Sequence, residues 1–120
     1  MIDALRGRPA AERLRSLRGS VEPPYICAIN VEEIWRGARD PEQEPIAALL
    51  SSLRLAPLGL QEGALAGRWR AAFARQGRTL SQSDCLIAAA AVGVGASLAT
   101  GNPRDFPMTD LTVEHWPAGG

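Results

Sequence analysis

The chain reads as an α/β domain, a mostly parallel sheet flanked by helices, and three observations predict that class. Residues 25–29 and 96–99 are apolar runs without alternation, as suits strands covered on both faces. Each run leads directly into residues that start helices. Residues 85–92 are apolar almost all round, the mark of a helix buried on every side. With 120 residues the chain fits a single domain, 1–120, long enough for a core without disulfide staples.

Taken in order, residues 2–6 form a helical piece ended by Gly7, and Pro9 restarts a helix over 10–18 with Leu14 and Leu17 on one face. A Gly- and Pro-rich loop leads to the strand at 25–29. Asn30 then caps a helix from Val31 that turns Ile34 and Trp35 inward and stops near Gly37, a natural C-cap. Arg39, Asp40, Pro41 and Glu42 make a turn. Ile46, Leu49, Leu50 and Leu53 follow the i, i+3, i+4, i+7 spacing of the next helix. Residues 54–58 read as a short edge strand, because Pro57 lacks the N–H that a central ladder needs. A helix over 61–76 carries Leu65, Trp69, Ala72 and Phe73 on one side. Ser81 caps the buried alanine-rich helix, which Gly93 and Gly95 end before the strand at 96–99. Residues 111–114 form the last strand.

Three acids fall in comparable places. Glu33 stands three residues after Asn30, Asp84 three after Ser81, and Asp105 three after Asn102, with Pro103 in the favoured first helical position. Each pair is explained by capping alone, in which a cap and an N3 acid satisfy backbone donors. Two of the helices begin where a strand ends, however. In an open parallel sheet those ends share one edge, the edge where ligands bind. Carboxylates gathered there repel, which raises their pKa values or calls for a cation. Hard divalent ions such as Mg²⁺ or Mn²⁺ take carboxylate oxygens.

These blocks resemble the PIN-domain family and, within it, VapC-type toxins of type II toxin–antitoxin systems. NVEEIWRGA (30–38) is similar to the family's helix start with Glu33 as its acid. RTLSQSDCLIAAAA (78–91) is similar to its central block with Asp84, and ATGNPRDFPM (99–108) to its C-terminal block with Thr100, Asn102 and Asp105. The resemblance implies a PIN-like three-layer fold and a metal-dependent endoribonuclease. In it Glu33, Asp84 and Asp105 hold Mg²⁺ or Mn²⁺, with Thr100, Asn102 and Ser81 behind them. It also implies an RNA substrate, a cognate antitoxin whose C-terminal segment covers the acidic groove, and a homodimer as a further option. Family members begin with a strand ending in an additional metal-site Asp, followed by a helix that often reads LIDxLRG. Met1 to Gly7 match that helix, so Asp3 aligns with the helix acid and not with the strand's ligand. The expectation is a start recorded eight to ten residues late. The alternative is a PIN-like binding module of impaired activity.

Composition narrows the field further. Formal net charge is zero, so no global field attracts nucleic acid, and all 13 basic residues are Arg, which fits either a coding bias or phosphate recognition. Arg68, Arg70, Arg75 and Arg78 form the basic group nearest the predicted Asp84 helix, where a solvated face explains them as well as RNA does. Arg13, Arg15 and Arg18 read as a charged solvated face. Cys27 and Cys85 fit no metal-ligand spacing and read as buried, reduced thiols of a cytoplasmic protein. No signal peptide or membrane-length apolar run is present. His115 beside Trp116 reads as packing or surface. No Gly-rich phosphate loop, Ser/His/Asp set or Cys-based site competes with the acids. A small α/β regulator with three unrelated caps remains the other reading, distinguished by carboxylates standing more than ~10 Å apart.

Overall fold

A computed structural model of the chain describes residues 23–115. The expected helices at 2–6 and 10–18, Asp3, and Trp116 lie outside the described residues. Within them the order is β1 (Tyr25–Ile26), α1 (Ala28–Arg36), a 3-10 turn (Asp40–Glu42), α2 (Gln43–Ser51), β2 (Arg54–Leu55), α3 (Leu60–Arg75), α4 (Gln82–Gly93), β3 (Leu98–Thr100), a second 3-10 turn (Pro103–Asp105) and β4 (Val113–His115). This is the α/β alternation that the apolar runs predict.

The strands form two parallel pairs. β1 pairs with β2, Tyr25 opposite Arg54 and Ile26 opposite Leu55, and β3 pairs with β4, Leu98 opposite Val113 and Thr100 opposite His115. Both pairings are parallel, as expected, and among the described residues they form two two-stranded sheets. β2 is an edge, as Pro57 predicts: Leu55 is exposed, and after Ala56 donates to Ile26 O the ladder ends. Arg54 closes the β1–β2 pair. Its guanidinium lies 4.0 Å from the centroid of the Tyr25 ring, and its Nε donates to Pro23 O at 2.7 Å.

Two apolar clusters divide the core, and β3 belongs to both. Leu98 packs with Ile87, Trp69, Phe106 and Met108, whereas Ala99 packs with Ile26 and Leu49. Successive side chains on a strand point to opposite faces, so this split is what a strand covered on both sides requires. The larger cluster centres on α4. Ile87 and Ala88 to Ala91 are all 0 % exposed, and small alanine side chains bring this helix close to its neighbours. α3 packs along it through Ala66 and Trp69.

The structure moves the first predicted boundary. The run at 25–29 is a strand only to Ile26, and α1 begins three residues earlier than Asn30 would have it. Cys27, in extended conformation, takes the N-cap position, and its N–H donates to Asn30 Oδ1 at 2.9 Å. Asn30 is therefore the third helical residue, bonding back to the cap instead of being the cap. α3, α4 and their ends match expectation closely, and Gly77 after α3 has φ +79°, a left-handed turn natural to glycine.

Ile87→Ala should cost about 2–5 kcal/mol by removing a fully buried side chain from the α4 core. Urea unfolding should show a lowered midpoint with an unchanged slope, since the loss is packing and not a change in surface exposed.

Candidate active site

The site is built where α4 begins and β3 ends. Residues 94–97 join the two elements, and the loop before α4 meets the turn after β3. Side chains from both loops tie that edge together. The Arg78 guanidinium, three residues before the Ser81 cap, donates to the carbonyl of Arg104 in the second 3-10 turn. Arg70 of α3 donates from Nε to Leu80 O at 3.3 Å.

Asp84 sits at N3 of α4, as predicted, and Ser81 Oγ accepts its backbone N–H at 3.1 Å. Asp84 is buried, at 7 % exposure, which is unusual for a carboxylate and sets its side chain apart from an ordinary surface cap. Asp105 closes the second turn. Asn102 does take the cap position, yet its side chain spends its donor on the acid itself: Nδ2 donates to Asp105 Oδ2 at 2.9 Å. Asn102 is in turn positioned by Thr100, fully buried at the end of β3, whose Oγ1 accepts the Asn102 N–H at 3.0 Å. Thr100, Asn102 and Asp105 thus form one hydrogen-bonded relay leading from the strand end to a carboxylate.

Glu33 departs from the expected pattern. Because α1 starts at Ala28, Glu33 lies in the second turn, half-buried, and Asn30 occupies the first-turn position that the acid was expected to hold. Asn30 and Glu33 share a face at i, i+3 spacing. Asn30 is 1 % exposed, and its Nδ2 group makes no hydrogen bond. Among the described residues no three His, Cys, Asp or Glu side chains stand close enough together to hold one metal ion. Asp84 stands in the first turn of α4 and Asp105 in the turn after β3, two segments that the Arg78–Arg104 bond links, and among the described residues no ligand trio that includes Glu33 forms.

The predicted basic group also separates. Arg70 and Arg78 hold backbone carbonyls, whereas Arg68 lines an apolar groove of about 440 Å³ with Leu60, Leu65 and Val92, at the far end of α4 from Asp84. Residues missed by sequence reasoning are Cys27 as a cap and Arg104 in the Asp105 turn. Cysteine is a rare cap and gives no signal. Arg104 was legible only as the residue beside the acid. His115 is exposed, in line with the surface reading. Cys27 and Cys85 are both buried, and no disulfide joins them. Burial pushes the Cys85 thiol up from its ordinary value; Arg70 pulls it down and Asp84 adds to the rise. Among the described residues no helix is long and apolar enough to cross a membrane.

An α/β domain with acids at the junction of a strand end and a helix start is the class that this edge defines. The chain belongs to the PIN-domain family, whose model matches residues 1–110. It is 32 % identical over 108 residues to Ribonuclease VapC19 of Mycobacterium tuberculosis, covering 89 % of this chain and 86 % of that protein. Its fold is similar to DNA-bound VapBC from Salmonella typhimurium at TM-score 0.72 and 26 % identity, covering 93 % of this chain and 89 % of that one. It is also similar to VapBC-1 of nontypeable Haemophilus influenzae at TM-score 0.71 and 24 % identity, covering 88 % and 85 %.

The raised thiol sets a pH dependence. A group whose folded pKa lies above its unfolded value contributes stability that is present below the unfolded value and lost as pH rises through the folded one. Stability should therefore fall above about pH 8.5, the ordinary thiol value. Urea unfolding between pH 7.5 and 10 should show that decline in the native chain and a flatter profile in Cys85→Ala.

Proposed function

We propose that the chain is a VapC-like endoribonuclease toxin that hydrolyses RNA phosphodiester bonds and is neutralised by a cognate antitoxin. The single observation that carries this reading is Asp84. A buried carboxylate opens the central helix of a PIN domain, and the second carboxylate at the same edge, Asp105, is held by Asn102. The relative at 32 % identity is named a ribonuclease, and the similar structures are toxin–antitoxin pairs. One domain over 1–120, acting in the cytoplasm where buried thiols stay reduced, completes the proposal.

The donor set at the edge is entirely oxygen: Asp84, Asp105 and the Thr100 and Asn102 groups behind them. That chemistry suits Mg²⁺ or Mn²⁺. Mg²⁺ is commonly held by one or two carboxylates, with water and substrate phosphate completing its shell, so two acids from the described residues suit it. Asp84 and Asp105 would hold the ion, with Glu33, in the second turn of α1, as the third acid that the resemblance names. When bound, such an ion activates water and offsets charge on the scissile phosphate.

The remaining work falls to the chain's own groups. Ser81 fixes the first turn of α4, so the Asp84 carboxylate has a defined origin. The Asn102 amide holds one Asp105 oxygen and leaves the other oxygen available. Backbone N–H groups at the start of α4 favour an anionic substrate. A binding module of impaired activity is the second reading, favoured by the lack of a three-ligand metal group among the described residues.

Cleavage of a single-stranded RNA by the purified chain separates the two. The nuclease reading expects Mg²⁺- or Mn²⁺-dependent cutting that Asp84→Asn or Asp105→Asn lowers by about 100-fold or more, with EDTA abolishing it. RNA binding without cutting would favour the binding module, and equal cutting by both variants would contradict the assigned acids.

A further inference from the structure

We propose that Arg104 is the residue that grips the RNA backbone beside the cleavage site, binding a phosphate next to the one that is cut. The inference rests on the ribonuclease reading above and names how that site tolerates its substrate. RNA is a polyanion, and an edge built from Asp84 and Asp105 repels it. Net charge is zero, so no long-range field compensates. A bound divalent ion offsets charge on the phosphate that is cut, which leaves the phosphates beside it to a cationic side chain at the edge.

Arg104 is that side chain. It lies between Asn102 and Asp105 in the second 3-10 turn, it is exposed, and its guanidinium makes no hydrogen bond or ion pair with any described residue. The adjacent carboxylate does not consume it, because Asp105 is held by the neutral Asn102 amide instead. Among the described residues the other arginines without a partner are placed differently: Arg36 ends α1, Arg75 ends α3, and Arg68 lines the groove at the far end of α4. The turn that presents Arg104 is well fixed. Asp105 N donates to Asn102 O and Phe106 N to Pro103 O, the Phe106 side chain is buried, and Arg78 holds the Arg104 carbonyl from the α4 side. A planar guanidinium carried on that fixed turn can bind a phosphate through two parallel N–H donors.

The test is binding of a fluorescent single-stranded RNA to the full chain in EDTA, where cutting is suppressed, measured by anisotropy across a salt series. Arg104→Ala should weaken binding about tenfold and flatten the log–log salt slope by about 0.7, the value of one single-strand phosphate contact. Arg104→Lys should keep the slope, because the charge remains, while losing part of the affinity. Arg36→Ala should change neither. In cutting assays Arg104→Ala should raise KM far more than it lowers kcat, the signature of lost substrate binding. An unchanged slope in Arg104→Ala, or an equal loss in Arg36→Ala, would overturn the assignment of Arg104 while leaving a wild-type chain that cuts RNA a ribonuclease. A wild-type chain that neither binds nor cuts RNA would overturn both readings.

Discussion

The tight burial of α4 is the constraint on which everything else depends. A helix whose Ile87 and Ala88 to Ala91 are all inaccessible to solvent has no freedom to slide or rotate. Alanines there are not filler: larger side chains would push α3 and β3 away, and with them the edge that carries the acids. Because α4 is fixed along its length, its first turn is fixed too. Burial of Asp84 follows from that position and is not a separate device. Hydrophobic packing thus places a charged group that packing alone would exclude.

The edge is held by polar contacts of a different kind. Thr100 positions Asn102, Asn102 positions Asp105, and Arg78 fastens the turn to the loop before α4. Each link uses a neutral or cationic donor and leaves carboxylate charge in place. That distribution separates jobs that a simple salt bridge would merge. If Arg104 paired with Asp105, both charges would be spent on structure, and an exposed pair of that sort contributes little to stability. Kept apart, the carboxylate is free for a cation and the guanidinium for an anion.

Much of this was legible in the sequence. The all-round apolar character of residues 85–92 identified the buried helix, and Ser81 with Asp84 gave its start to the residue. Pro57 marked the edge strand. The α1 boundary was misread because Asn30 is a good N-cap by type, and the actual cap, Cys27, carries no capping signal. The shift matters chemically, since it moves Glu33 from the first turn to the second. Local capping rules could not detect it, because both starts satisfy them; the choice is made by burial of Asn30 and the short β1–β2 pairing. The division of the arginines was also invisible. Arg70 and Arg78 lie close to Asp84 in sequence, yet both are occupied by carbonyls, whereas nothing in the sequence singled out Arg104. Side-chain partners across the loops decide that, and no periodicity encodes them.

The central claim is that Asp84 and Asp105 act together as a binding edge for one hard divalent ion, and calorimetric titration of the RNA-free chain with Mn²⁺ tests it most directly. The account predicts saturable binding that is lost in Asp84→Asn and in Asp105→Asn, with the double variant no worse than either single one, since the two oxygens serve the same ion. Binding that survives both substitutions, or two losses that add as independent sites would, contradicts it.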